Sequence, residues 1–136
     1  MQGKWIVLGA VLAAFVACDA LWLALVAKDF YQAQIGQLML VQPKWGAAAL
    51  FYPLYTVGLV FFCVSPALER GSWVTALTTG AFFGLVAYGT YDLSNLATLK
   101  GWPPAMTVVD MLWGTVASSV ATVAGYFAGD RLRRAR

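Results

Sequence analysis

Four stretches of this chain are almost unbroken in apolar residues, and short polar intervals separate them. They cover residues 5–27, 46–66, 72–96 and 105–129. A helix needs roughly 20 apolar residues to cross a hydrocarbon core of about 30 Å, and each stretch is about that long or longer. The pattern predicts an all-α, polytopic membrane protein: four transmembrane helices in a bundle, forming a single domain over residues 1–136. The only long connection is 28–44. Within it Tyr31, Ile35, Leu38, Met39 and Gln42 fall on one helical face, and Gln32, Gln34 and Gln37 mark the other. This predicts a short interfacial helix after helix 1, or an extension of helix 1. Such a helix could lid a site beneath it; the plainer reading is a connector resting on head groups. Pro43 stops it, and Trp45 anchors the start of the second span at the interface.

Composition strengthens the membrane assignment. The chain of 136 residues is 61% hydrophobic and 11% charged, against about 45–50% and about 25% for soluble domains. The net charge of +3 is not a nucleic-acid signal, because four of the nine basic residues, Arg131, Arg133, Arg134 and Arg136, sit together at the C-terminal end. In a four-span arrangement six basic residues (Lys4, Arg70 and those four arginines) share one side, and Lys28, Lys44 and Lys100 share the other. The positive-inside bias then places both termini in the cytoplasm and makes membrane lipids the expected partners. The first apolar run continues past Cys18 through Leu21-Trp22-Leu23-Ala24-Leu25, too long for a signal-peptide core, so it reads as a retained helix. Cys18 and Cys63 fall at different depths, beyond the ~7 Å Cα separation a disulfide allows, and read as packing thiols. Small residues recur four apart in Gly9/Ala13/Ala17, Gly80/Gly84 and Ala117/Ala121/Gly125. Such faces let helices approach closely in lipid, within one chain or between copies in a homo-oligomer.

Against this apolar background three carboxylates stand out: Asp19, Asp92 and Asp110. A carboxylate in hydrocarbon is costly, so it is expected to face the bundle interior or water and to mark a site. Counting 1.5 Å per residue from the cytoplasmic edge, Asp19 lies about 21 Å up helix 1 and Asp110 about 22 Å up helix 4. Tyr88 and Asp92 reach about 23 and 29 Å along helix 3. Tyr88, Asp92 and Asn95 share a face, and Tyr52 and Tyr55 come in from the outer end of helix 2. Asp19/Trp22 and Asp110/Trp113 repeat the same Asp-to-Trp spacing of three, which puts each pair on one face. The predicted binding pocket is therefore Asp19, Trp22, Tyr52, Tyr55, Tyr88, Asp92, Asn95, Asp110 and Trp113, in the outer half of the bundle. The alternative is a structural polar knot, with the tyrosines, Asn95 and the indoles as partners; Asp92, close to the outer interface, could also be solvated or cap its helix.

The chain has no histidine, which argues against bis-His haem, His-rich di-iron oxidases, the usual zinc sites and His-based nucleophilic catalysis. It has no Gly-rich phosphate loop, and it lacks the spaced Asp motifs of membrane prenyl and phospholipid-alcohol transferases. No metal, cofactor or catalytic residue is assigned.

The run Tyr91-Asp92-Leu93-Ser94-Asn95-Leu96-Ala97-Thr98-Leu99-Lys100-Gly101-Trp102-Pro103, followed by Val109-Asp110-Met111-Leu112-Trp113-Gly114, resembles domain-of-unknown-function family 2177, a family of bacterial inner-membrane proteins. The resemblance covers essentially the whole chain. It implies a four-helix membrane protein of the bacterial inner membrane and no established activity. The matching positions with functional potential are Asp92, Asn95, Lys100, Asp110 and Trp113.

Three functions fit. The first is a pocket that binds or processes a lipid or other amphipathic molecule from the outer leaflet. The second is a small proton-linked transporter, and the third an accessory subunit whose polar knot is structural. A transporter needs a site near the midplane reachable from both faces. Here the polar groups are biased outward, and Thr75, Thr78, Thr79, Ser118, Ser119 and Thr122 on the inner side are expected to bond their own helix carbonyls. That ranks the first above the second.

Overall fold

The computed structural model describes residues 2–135, the side chain of Gln2 excepted; Arg136, counted above among the terminal basic residues, lies outside the described residues. The elements are α1 (Gln2–Trp22), a π-helical segment (Leu23–Ala27), α2 (Lys28–Ile35), a 3₁₀ turn (Gly36–Leu38), α3 (Trp45–Leu59), a second π-helical segment (Val60–Val64), α4 (Ser65–Arg70), α5 (Trp73–Thr98) and α6 (Pro104–Arg134). They join into four rods, and no strand occurs among the described residues. Three rods, Gly3–Leu38, Trp45–Arg70 and Pro104–Arg134, are long and apolar enough to cross a membrane. The 26 residues of α5 also suffice in length, but Thr75, Thr78, Thr79, Thr90, Asp92, Ser94 and Asn95 make it more polar. The protein is a helical membrane bundle. Its outward surface carries large apolar side chains such as Trp5, Leu25, Phe61, Phe82 and Leu112, a distribution suited to lipid and not to water.

Of the two readings of the segment after helix 1, the structure takes the extension: the rod runs from α1 through the π-helical segment into α2. The second rod runs past residue 66, where the apolar stretch ends, and stays helical to Arg70. Pro66 has no N–H to offer the carbonyl four residues back, and the π-helical segment Val60–Val64 lies immediately before it, where that lost bond has to be absorbed. The turn itself is only Gly71–Ser72. Gly71 takes a left-handed φ of 63°, its N–H bonds the Leu68 carbonyl, and Ser72 N–H bonds that of Ala67. This closes one helix as Gly does best, and the Ser72 hydroxyl then accepts from Thr75 N–H at 3.2 Å to start α5.

The tightest contact is between α5 and α6, and small residues create it. A Cβ on Gly84 would stand 2.2 Å from the Gly114 carbonyl oxygen, and one on Gly80 would stand 2.1 Å from Thr122 Oγ1. The Thr122 hydroxyl lies 2.8 Å from the Ala76 carbonyl across the interface and 2.9 Å from Ser118's on its own helix. Next to this pair, Val7, Val11 and Phe15 of α1 pack with Tyr55, Leu59, Cys63 and Val64 against Ala117 and Ala121. The α6 row of small residues thus faces α1, where Gly125 meets Val11 and Val64. In contrast Gly9, Ala13 and Ala17 point outward. Cys18 and Cys63 are both free thiols.

Gly114→Ala should therefore lower thermal stability in detergent, by about 1–3 kcal/mol, the scale of overpacking, because the new methyl would meet the Tyr88 ring at 2.2 Å. Gly46→Ala, where nothing lies within 4 Å, should leave the midpoint unchanged or slightly raised. Equal midpoints for the two variants would refute the close α5–α6 approach.

Candidate functional site

Connection length sets the depth of two of the carboxylates. The α5–α6 link is short, with Gly101 at φ 74° and Pro104 opening α6, a position where proline's missing N–H costs nothing. Asp92 lies six residues before the end of α5 at Thr98, and Asp110 six residues after Pro104. Each is thus about 9 Å from the turn, and the two antiparallel helices bring them to one level. Trp102 folds in to seal this end: it is buried, its indole N–H donates to Thr107 Oγ1 at 3.1 Å, and Tyr91 meets it edge-on.

Each half-buried carboxylate draws its donors from other helices. Asp19 Oδ2 accepts from the Tyr52 hydroxyl at 2.8 Å, and its Oδ1 accepts from the Trp113 indole N–H at 3.0 Å. Asp110 Oδ1 accepts from the Tyr31 hydroxyl, which itself accepts from the Trp22 N–H at 3.2 Å. The two indoles stack with centroids 4.5 Å apart and planes 4° from parallel. The repeated Asp-to-Trp spacing therefore has a structural meaning: each tryptophan lies over the other, and each serves a carboxylate system on the opposite helix. Trp113 bonds Asp19 directly, whereas Trp22 reaches Asp110 through Tyr31. Bonds chained in this way polarise one another.

Tyr31 belongs to this network but not to the pocket expected from the sequence. At 100° per residue, twelve α-helical residues would leave it about 120° from the face of Asp19. The π-helical segment between them accommodates one residue too many for α-helix, which brings the offset to about 20°. Ala27 is fully buried for the same reason. The spacing alone hides Tyr31; only its place on the apolar face of 28–44 marked it.

The remaining candidates are placed as follows. Tyr55 is buried in the core, and its hydroxyl bonds Ser118 Oγ at 2.8 Å, not a carboxylate. The half-buried Tyr88 packs its ring on Gly114 and meets Tyr55 edge-on at 6.3 Å, without a hydrogen bond to an aspartate. Asn95 is half-buried, and its side chain bonds none of the carboxylates among the described residues. Lys100 is exposed. Asp92 departs most from expectation. It neither caps its helix nor faces solvent: it is fully buried, and neither carboxyl oxygen has a hydrogen-bond partner. The Asp110 carboxyl is its charged neighbour, and two carboxylates, being acceptors only, bond each other only if one carries a proton. Among the described residues no cluster of three metal-ligating side chains occurs. A cavity of about 590 Å³ lies elsewhere, at the end where the chain termini meet, and none of the pocket candidates lines it.

Fold and site together define a helical integral membrane protein with a buried polar cluster near one end of the bundle. The chain belongs to the predicted membrane protein family DUF2177, whose model matches residues 5–127. No curated protein matches the chain, and no solved structure does.

Tyr31→Phe should destabilise the protein by about 1–3 kcal/mol, because it strips Asp110 of a donor and leaves the Trp22 indole without an acceptor. Thermal unfolding measures the loss, and tryptophan fluorescence should shift with it as the Trp22–Trp113 stack loosens. An unchanged midpoint would show that Asp110 does not depend on Tyr31.

Proposed function

We propose that this protein binds the hydrogen-bond-donating head of an amphipathic molecule, a lipid or lipid-like compound, at the Asp19–Asp92–Asp110 cluster in the outer half of the membrane. The observation that carries the reading is the surplus of acceptors: three donors reach Asp19 and Asp110, and both oxygens of buried Asp92 have none. Buried carboxylates without donors are costly. An amine or hydroxyl group arriving at Asp110, or a proton shared with Asp92, supplies what is missing. Asp19 and Asp110 are each only partly buried, so both keep a face toward an incoming group. The aromatic surroundings of Trp22, Trp113, Tyr31 and Tyr52 suit such a head, since tryptophan faces also attract cations. The inner half carries no buried carboxylate: Thr78, Thr79, Ser119 and Thr122 bond carbonyls of their own helix, Ser118, expected to do the same, bonds the Tyr55 hydroxyl instead, and the α5–α6 glycine contact leaves no gap between those helices. This favours binding from one leaflet over passage through the bundle.

Native mass spectrometry of the purified protein should reveal one enriched amphiphile class, lost in Asp19→Asn and Asp110→Asn. Equal recovery of that class from wild type and both variants, or no enriched class at all, would overturn the assignment and leave the cluster a structural knot.

The leaflet follows from topology. In this reading the four rods cross the bacterial inner membrane with both termini cytoplasmic, supported by the basic residues Lys4, Arg70, Arg131, Arg133 and Arg134 at one end. Reporter fusions after Gln37 and after Arg134 should report opposite sides. A periplasmic C-terminus would move the acidic site to the cytoplasmic leaflet.

A further inference from the structure

We propose a second lipid site, at the opposite end of the bundle from the aspartates: a groove between α1, α3–α4 and α6 that holds an anionic phospholipid. The groove encloses about 590 Å³, within the range of small-molecule sites. Its floor is apolar and comes from two rods, with Val7 on the first and Val57, Val60 and Phe61 on the second. Val57 and Phe61 are exposed, 54% and 68% respectively, so the floor opens sideways to the hydrocarbon and an acyl chain can lie along it.

The rim gives the groove its charge preference. Lys4 and Arg133 both line it, against one acid, Glu69. Among the described residues the only ion pair is Arg134–Asp130 at 2.9 Å, so neither Lys4 nor Arg133 is paired with a described acid. Arg133 is also held in place, because its guanidinium donates to the Leu68 carbonyl on α4, which leaves its other N–H groups free beside the cavity. A guanidinium held at an apolar groove, with an ammonium on the same rim, suits a phosphate head group. Basic pockets between helices on the cytoplasmic side recognise such heads. This site shares no residue with the acidic cluster, and its ligand has the opposite charge preference.

Lipid competition followed by native mass spectrometry tests the proposal on the full chain. From mixed micelles of phosphatidylglycerol and phosphatidylcholine, the wild type should retain phosphatidylglycerol preferentially. The double variant Lys4→Gln/Arg133→Gln should lose that preference, on the order of 30-fold for two basic contacts removed. Both side chains are at the surface, so its thermal midpoint in lipid-free detergent should match the wild type. Val57→Trp should block the groove floor and reduce retention of either lipid there. Arg131→Gln, which alters the same terminal helix outside the groove, should change nothing, and inorganic phosphate should not displace the lipid. Equal retention of both lipids by the wild type, an Arg131→Gln loss as large as the double variant's, or displacement by phosphate would each overturn the site.

Discussion

A carboxylate placed among hydrocarbon must be given donors, and one end of this bundle is organised by that requirement. Asp19 takes one bond from α3 and one from α6, so a single side chain on α1 ties three rods together. Asp110 takes its bond from α2, which draws the far end of the first rod over α6. The Trp22–Trp113 stack lies between these two systems and links them. Lipid tails give apolar helices no reason to prefer each other over solvent, so packing and polar bonds must supply the specificity. Here glycine-mediated contact does so for α5 and α6, and the aspartate bonds do so for α1 and α3.

Much of this was legible in the sequence because depth in a membrane is a linear measure. Counting 1.5 Å per residue from a hydrophobic edge puts Asp19 and Asp110 at one level without knowledge of tertiary structure. The Asp-to-Trp spacing of three predicts a shared face, and both tryptophans do lie on the carboxylate side. Orientation around the helix axis was less legible, since it depends on every residue being α-helical. Tyr31 escaped for that reason: one surplus residue in Leu23–Ala27 turned it by about 100°. Tyr55 and Tyr88 have the expected depth but serve the core, Tyr55 through Ser118 and Tyr88 through the flat surface of Gly114. The burial of Asp92 was hidden because it depends on how the α5–α6 connection folds back, with Trp102 sealed against Thr107.

The two ends of the molecule are electrostatic opposites. One gathers three aspartates among aromatic rings, with more acceptors than donors. The other gathers basic side chains around an apolar cavity, with more donors than acceptors. Between them the middle of the bundle is built from glycine, alanine and hydroxyl residues, most of which are satisfied at short range, while the buried Thr56 hydroxyl has no partner among the described residues. The close-packed waist of α5 and α6 keeps these two ends apart.

The π-helical segment at Leu23–Ala27 makes the aspartate-bearing end sensitive to chain length where it is indifferent to composition. Four of its five side chains are exposed apolar groups facing outward, and one apolar residue there serves as well as another. Adding a residue and removing one differ in kind. Removing one would let the rod relax to uninterrupted α-helix with Tyr31 still about 20° from the face of Asp19, whereas adding one would turn α2 by roughly 100° about its axis and swing Tyr31 away from Asp110 with every contact residue still present. Variation in this stretch is thus free in identity and one-sided in number: the segment already absorbs one surplus residue, and the phase it sets decides whether the first rod can reach the fourth.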